Sequence, residues 1–362
     1  MQDQTTPIPV NTPTAQTDIK GELEEARLPL DPRTIIQACL LVLASLAIAY
    51  VAADIILPLV LAFVLKLLFQ PVMRQLERLR LPRSIAALLM IFVFFGLFVG
   101  LGAAVAGPAT EWATRLPEAL PRLQERLSVL SRPIQTFQSF MQQIGAGGGA
   151  NVDILGAAFR GTQHFASGFF ETILILYFLL VSGDTFLRRM VEILPRFSDK
   201  RQVVTLSQQI EENISIYLAT ITVMNGLVGL ATGLTMWATG LGDPILWGVV
   251  AFALNFVPII GPFFGVALFA FAGLLQFDTM LAAFLPAGLY LVIHLIEGEI
   301  VTPMLLARRF TLNPVLIILA LIFWFWLWGA PGAILAVPML AILKIICDGV
   351  GPLNNIGRFL EA

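Results

Sequence analysis

Between Ser84 and Gly107 the chain carries no charged side chain. At 1.5 Å per residue that stretch exceeds the roughly 20 helical residues needed to cross a hydrocarbon core. The uncharged blocks Thr34–Ala53 and Ile214–Leu241 make the same statement, and Ile55–Phe69 and Phe165–Val181 come close to it. A lipid-embedded backbone must satisfy its own polar groups, so these blocks read as helices. Composition agrees. Charged residues make up 13% of the 362 and hydrophobic ones 57%, against about 25% charged in soluble domains. The fold class expected is an all-α polytopic membrane protein.

Charge places the connectors. Lys66 lies near the end of the second block and Arg74, Arg78, Arg80 and Arg83 follow it, and Arg188, Arg189, Arg196, Lys200 and Arg201 follow the fourth. Basic residues near span ends favour the cytoplasm, so the N-terminus is expected inside and residues 108–164 outside. The polar, Thr/Pro/Gln-rich residues 1–33 read as a disordered cytoplasmic tail without signal-peptide architecture. Residues 34–107 form the N-terminal membrane helices, 165–350 a transport core, and 351–362 a cytoplasmic C-terminal tail.

The last third breaks its own helices. LNFVPIIGPFFG (Leu254–Gly265) sits inside an apolar run and holds Pro258, Gly261 and Pro262. Proline removes a helix donor and clashes with the preceding turn. If Pro244–Gln276 were one plain span, Arg308 and Arg309 would fall outside. A hairpin that enters and leaves on one side removes that conflict. WLWGAPGA (Trp326–Ala333), with Gly329 and Gly332, repeats the pattern within Asn313–Asp348. Asp243-Pro244 opens the first unit and Asn313-Pro314 the second. The expectation is about six spanning helices plus two opposed re-entrant hairpins, in an inverted repeat of residues 212–276 and 278–348. Paired interrupted segments of this kind point to a transporter's central site.

Other chemistry finds little footing. Cys39 and Cys347 form no metal or redox motif, His164 and His294 have no ligand spacing, and no P-loop is present. No enzyme activity, cofactor or metal is expected. A net charge of −2 gives no basic surface for nucleic acid.

The pathway candidates are Asn225, Asn255, Pro258, Gly261, Pro262, Glu297, Glu299, Thr302, Asn313, Gly329 and Gly332. Asn255 either meets a solute or cation, or satisfies the broken backbone. Glu297 carries a proton or cation, or pairs with Arg308 or Arg309. His294 lies on the same helical face as Glu297. Thr302 and Asn313 suit helix caps, and Gly229 and Gly233 suit close helix packing. Outside the membrane, Leu116, Leu120, Leu123, Leu127, Leu130, Ile134, Phe137, Met141 and Ile144 step by four and three. That is a coiled-coil seam, interrupted by Pro117, Pro121 and Pro133, with a surface helix as the alternative.

YFLLVSGD (Tyr177–Asp184), ALNFVPIIGPFFG (Ala253–Gly265), IEGEIVTPMLLARRFTLNPV (Ile296–Val315) and WGAPGAILAVP (Trp328–Pro338) occur in that order. Together they resemble the autoinducer-2 exporter family of PerM-like permeases across roughly residues 35–350. Glu299 departs from a pattern that often has Asn there. The resemblance implies a secondary exporter of a small polar solute, such as the signalling furanone, in a bacterial inner membrane. Sodium or lithium–proton antiport is the alternative it carries. It also implies a homo-oligomer, taken here as a pentamer.

Overall fold

The computed structural model describes residues 32–126, 154–183, 185–193, 197–301, 304, 313–350, 357 and 360. Residues 1–31 of the N-terminal tail, the seam from Leu127 onward, the glycine-rich stretch GAGGGA at 145–150, Thr302, Arg308 and Arg309 lie outside them, whereas Pro32 and Arg33 of the expected tail begin the first helix. The chain divides after Ala53 into two units. The first contributes one helix, α1 (Pro32–Val51).

The second unit holds α2 (Ala53–Arg78), α3 (Arg83–Arg126), α4 (Ile154–Ser182), α5 (Thr185–Ile193) and α6 (Phe197–Thr239). It continues with α7 (Pro244–Leu254), α8 (Ile260–Gln276), α9 (Met280–Ile296), a π-turn (Glu297–Val301) and α10 (Pro314–Gly349). Among the described residues, five helices are long and apolar enough to cross a membrane. The protein is an all-α polytopic membrane protein.

Several sequence boundaries move. The second helix does not stop with its apolar block at Phe69, because α2 runs through Pro58 and Pro71 to Arg78. Gly107 does not end the third. Helix α3 passes through Pro108, Pro117 and Pro121 to Arg126, so two of the three prolines expected to interrupt the outer segment do not. A proline's missing donor is tolerated where neighbours re-satisfy the freed carbonyl. Residues 154–164, assigned to the outer segment, begin α4. Helix α6 starts 17 residues before the Ile214 expected from hydropathy, because its first turns are polar. Part of the C-terminal tail is anchored. Leu360 is buried in a cluster with Leu340 and Cys347, and its carbonyl accepts from the Asn313 N–H.

The interrupted segments double back. Rings of Trp247 in α7 and Phe269 in α8 lie 5.4 Å apart, whereas an unbroken helix would separate them by about 33 Å. In α10 the backbone leaves helical geometry at Gly329 (φ 65°, ψ −145°). Leu321 packs with Ala333 and Ala336, and Leu316 with Leu340; an unbroken helix would hold Leu316 and Leu340 about 36 Å apart. The two hairpins open toward opposite ends of α6. Its C-terminal end feeds the first through residues 240–243. Near its N-terminal end, Gln202 donates to the Gly349 carbonyl of the second at 2.8 Å.

Small residues let α6 and α7 cross closely. A Cβ on Gly229 would sit 2.7 Å from the Gly248 carbonyl, and one on Gly233 would sit 2.5 Å from the Pro244 carbonyl. Both obstacles are backbone, so α6 and α7 would have to part. Gly233→Leu therefore lowers the thermal unfolding temperature of the purified protein, with a loss of about 1–3 kcal/mol or more. Gly226→Leu, facing open space on the same helix, leaves it unchanged.

Candidate functional site

The first hairpin's tip is built on strain. Asn255 continues α7 in αR geometry, but Ile259 has φ 66° and ψ −58°. The Ile260 N–H donates to the Pro258 carbonyl at 2.7 Å, closing a γ-turn around a β-branched residue. That conformation is rare and costly, and it persists only where surrounding structure enforces it. Directly after it, Gly261 lies against the Leu254 carbonyl, where no side chain fits. Pro262 stands in the first turn of α8, where its lack of a donor costs little.

The second tip meets the first. Val257 packs against the cluster of Leu321, Ala333 and Ala336. Gly329 supplies the reversal, and Gly332 lies against the Trp324 carbonyl, again with no room for a Cβ.

Beside the tips the close crossing of α6 and α7 brings two amides together. Asn255 Nδ2 donates to Asn225 Oδ1 at 2.9 Å. Asn225 is 3% exposed, and its own Nδ2 finds no partner. The alternative that Asn255 satisfies the broken backbone through its side chain is not what the geometry shows; its amide hydrogen goes to Asn225.

A cavity of about 520 Å³ opens against Asn255 of this pair. Helices α2 and α3 form one wall, α6 a second, the tip residues Phe252, Asn255, Phe256 and Pro258 a third, and the second arm of α10 the fourth. No lining residue is charged, and only Tyr217, Thr222 and Asn255 carry a polar side-chain group. Aromatic edges shape it: Phe69 meets Phe94 at 5.4 Å and Phe252 meets Phe256 at 5.1 Å, both edge-on.

The remaining candidates do not converge here. Glu297 and Glu299 sit in the π-turn after α9, Glu297 half-buried and Glu299 exposed; neither lines the cavity. Glu297 Oε2 lies 3.8 Å from Nδ1 of buried His294, whose Nε2 has no partner. Asn313 is a helix cap, its Oδ1 accepting from the Val315 N–H at 2.9 Å. That places it at the open end of the second hairpin, away from the tips.

Sequence reading missed Tyr217, Thr222 and the phenylalanine walls. Thr222 lies three residues before Asn225 on α6, the one signal available. Also unforeseen was a second cavity of about 490 Å³ among Arg74, Arg188, Ser207 and Glu211. There Glu211 holds Gln70 and Arg74, tying α2 to α6. No cluster of three metal-ligating side chains occurs among the described residues.

Relatives match this chain over most of their length. The AI-2 transport protein TqsA of Escherichia coli K12 is 27% identical over 308 residues, 82% of this chain and 86% of its own. A putative transport protein of Borreliella burgdorferi is 26% identical over 337 residues, 92% of this chain and 91% of its own. The putative permease PerM of Escherichia coli K12 is 24% identical over 340 residues, 87% and 93% of the two chains. A family model described as AI-2E family transporter matches residues 39–350, and with two broken hairpins meeting inside that span, the chain belongs to the AI-2E transporter family.

Proposed function

We propose that this protein is a secondary permease that passes a small solute between the two hairpin tips, without ATP. The observation that carries the reading is the meeting of two reversals beside a cavity lined by Asn255, which Asn225 holds from behind. Irregular backbone at membrane depth is tolerated where it lines a cavity or lies buried in protein. The basic connectors after α2 and α4 support an orientation with the N-terminus in the cytoplasm of a bacterial inner membrane. One relative's name attaches AI-2 transport to that protein, which makes export of an autoinducer-2-like signal the first cargo to test here. A homo-oligomer is part of the same proposal.

Flux into proteoliposomes of the purified protein tests the reading, with the furanone signal in one arm and sodium under an imposed pH gradient in the other. Solute flux that depends on the tip asparagines supports it; no flux above empty liposomes in either arm counts against it.

The proximity of His294 and Glu297 favours a second reading, cation–proton antiport. Glu297→Gln separates the two. It keeps size and hydrogen bonding but removes the titrating charge. Because Glu297 does not line the cavity, the variant is expected to retain solute flux per folded protein. Loss of pH- or sodium-coupled flux, at unchanged protein yield, would instead establish the antiporter.

A further inference from the structure

From the cavity's chemistry we infer the solute class: an uncharged, largely apolar ring-bearing molecule with a single hydroxyl or N–H group. The inference rests on the permease reading but departs from its first cargo, since a furanone signal bearing several hydroxyls falls outside this class.

The cavity's size falls in the range that encloses drug-sized ligands, roughly 300–1,000 Å³. Its wall is leucine, isoleucine and valine edged by phenylalanines, which offers ring faces and edges to another ring. Polar capacity is small and local. Thr222 and Asn255 lie on adjoining helices at one side, beside Asn225. The asparagine pair spends one amide hydrogen and one carbonyl on each other. An Asn255 carbonyl is left to accept, and the buried Asn225 Nδ2 is left without an acceptor. Asn225 lies behind the wall, so what the solute meets is the Asn255 amide and the Thr222 hydroxyl, which one hydroxyl or N–H group on the solute answers.

Other solutes fit worse. A polyhydroxylated molecule would bring more donors than Tyr217, Thr222 and Asn255 can answer, each unmet group paying its full desolvation. A bare monovalent cation would find no carboxylate, since Glu297 and Glu299 are not in the wall. A phospholipid acyl chain would satisfy the apolar wall but leave the Asn255 amide and the Thr222 hydroxyl unanswered.

The test uses the purified full chain, in detergent and in phosphatidylcholine nanodiscs, with calorimetric titration of three probes. These are 2-naphthol, 2-methoxynaphthalene, which lacks the donor, and ribose. The expected result is saturable 2-naphthol binding in both media, about tenfold tighter than 2-methoxynaphthalene, the ratio one hydrogen bond confers, with no ribose binding. Ile221→Phe, which adds bulk to the cavity wall, weakens 2-naphthol binding. Asn255→Leu abolishes the difference between the two naphthalenes.

Ribose binding as tightly as 2-naphthol overturns the inference. So does 2-naphthol uptake that does not saturate or ignores Ile221→Phe, which is partition into the amphiphile. Binding lost on moving to nanodiscs overturns it in favour of lipid. The probe comparison on the unaltered protein stands even if a variant fails to fold. Binding as expected with no transport of any solute removes the permease reading and leaves the class intact. Polyol flux that Ile221→Phe blocks, without naphthol binding, does the reverse.

Discussion

Gly332→Leu is expected to leave no monodisperse protein in mild detergent, while Gly329→Ala folds with a measurable loss of stability. The two glycines stand three residues apart at one reversal and do different work. At Gly332 an added Cβ meets the Trp324 carbonyl, and Trp328 Cβ lies 3.1 Å away. Neither obstacle can rotate aside, so the two arms of α10 must separate. At Gly329 the space is open, and nothing lies within 4 Å of a built Cβ. Its constraint is conformational: φ 65° with ψ −145° is a region nearly closed to residues with a side chain, at about 1–3 kcal/mol. Size-exclusion profiles and thermal unfolding measure both. Equal behaviour of the two variants would mean that the reversal is not held as described.

The second large effect falls on transport. Asn225→Leu removes Asn255's partner and leaves a half-buried amide facing an apolar neighbour, at a cost of about 1–3 kcal/mol. Replacing both asparagines with leucine exchanges a paired contact for apolar packing, which is close to neutral for stability. The double variant is therefore expected to be at least as stable as Asn225→Leu, yet to carry no specific flux. Stability and flux diverge only if the pair serves the solute. Should flux return with stability in the double variant, the pair is structural. A cycle across the two positions gives their coupling directly.

Both reversals were legible because proline and glycine act locally. A Pro-Ile-Ile-Gly-Pro run cannot remain helical, and the steric reason holds in lipid as in water. The same rule failed at Pro117 and Pro121, where one proline alone does not stop a helix. Trp112 shows what extends α3 beyond Gly107: its Nε1 donates to Asp243 Oδ2 at 3.0 Å, and its ring meets Trp247 at 5.0 Å. Such a tertiary contact has no signature in hydropathy. The polar start of α6 was hidden for the same reason.

Asparagine and glycine were visible as residue types, but not who meets whom. Asn225 pairs with Asn255 because Gly229, Gly233 and Gly248 let two helices approach at one register. That register is a property of the crossing, not of either segment. The carboxylates were the opposite case. Glu297 and Glu299 drew attention through their cost in a membrane, and the fold sets both apart from the cavity.

The central claim is that solute passes through the cavity at the meeting tips. Thr222→Cys in a protein with Cys39→Ser and Cys347→Ala places one thiol in the cavity wall. Flux in proteoliposomes, followed before and after reaction with a bulky uncharged maleimide, is the measurement. The account predicts that flux falls in step with labelling and that excess solute slows the labelling. Complete labelling with undiminished flux would contradict it.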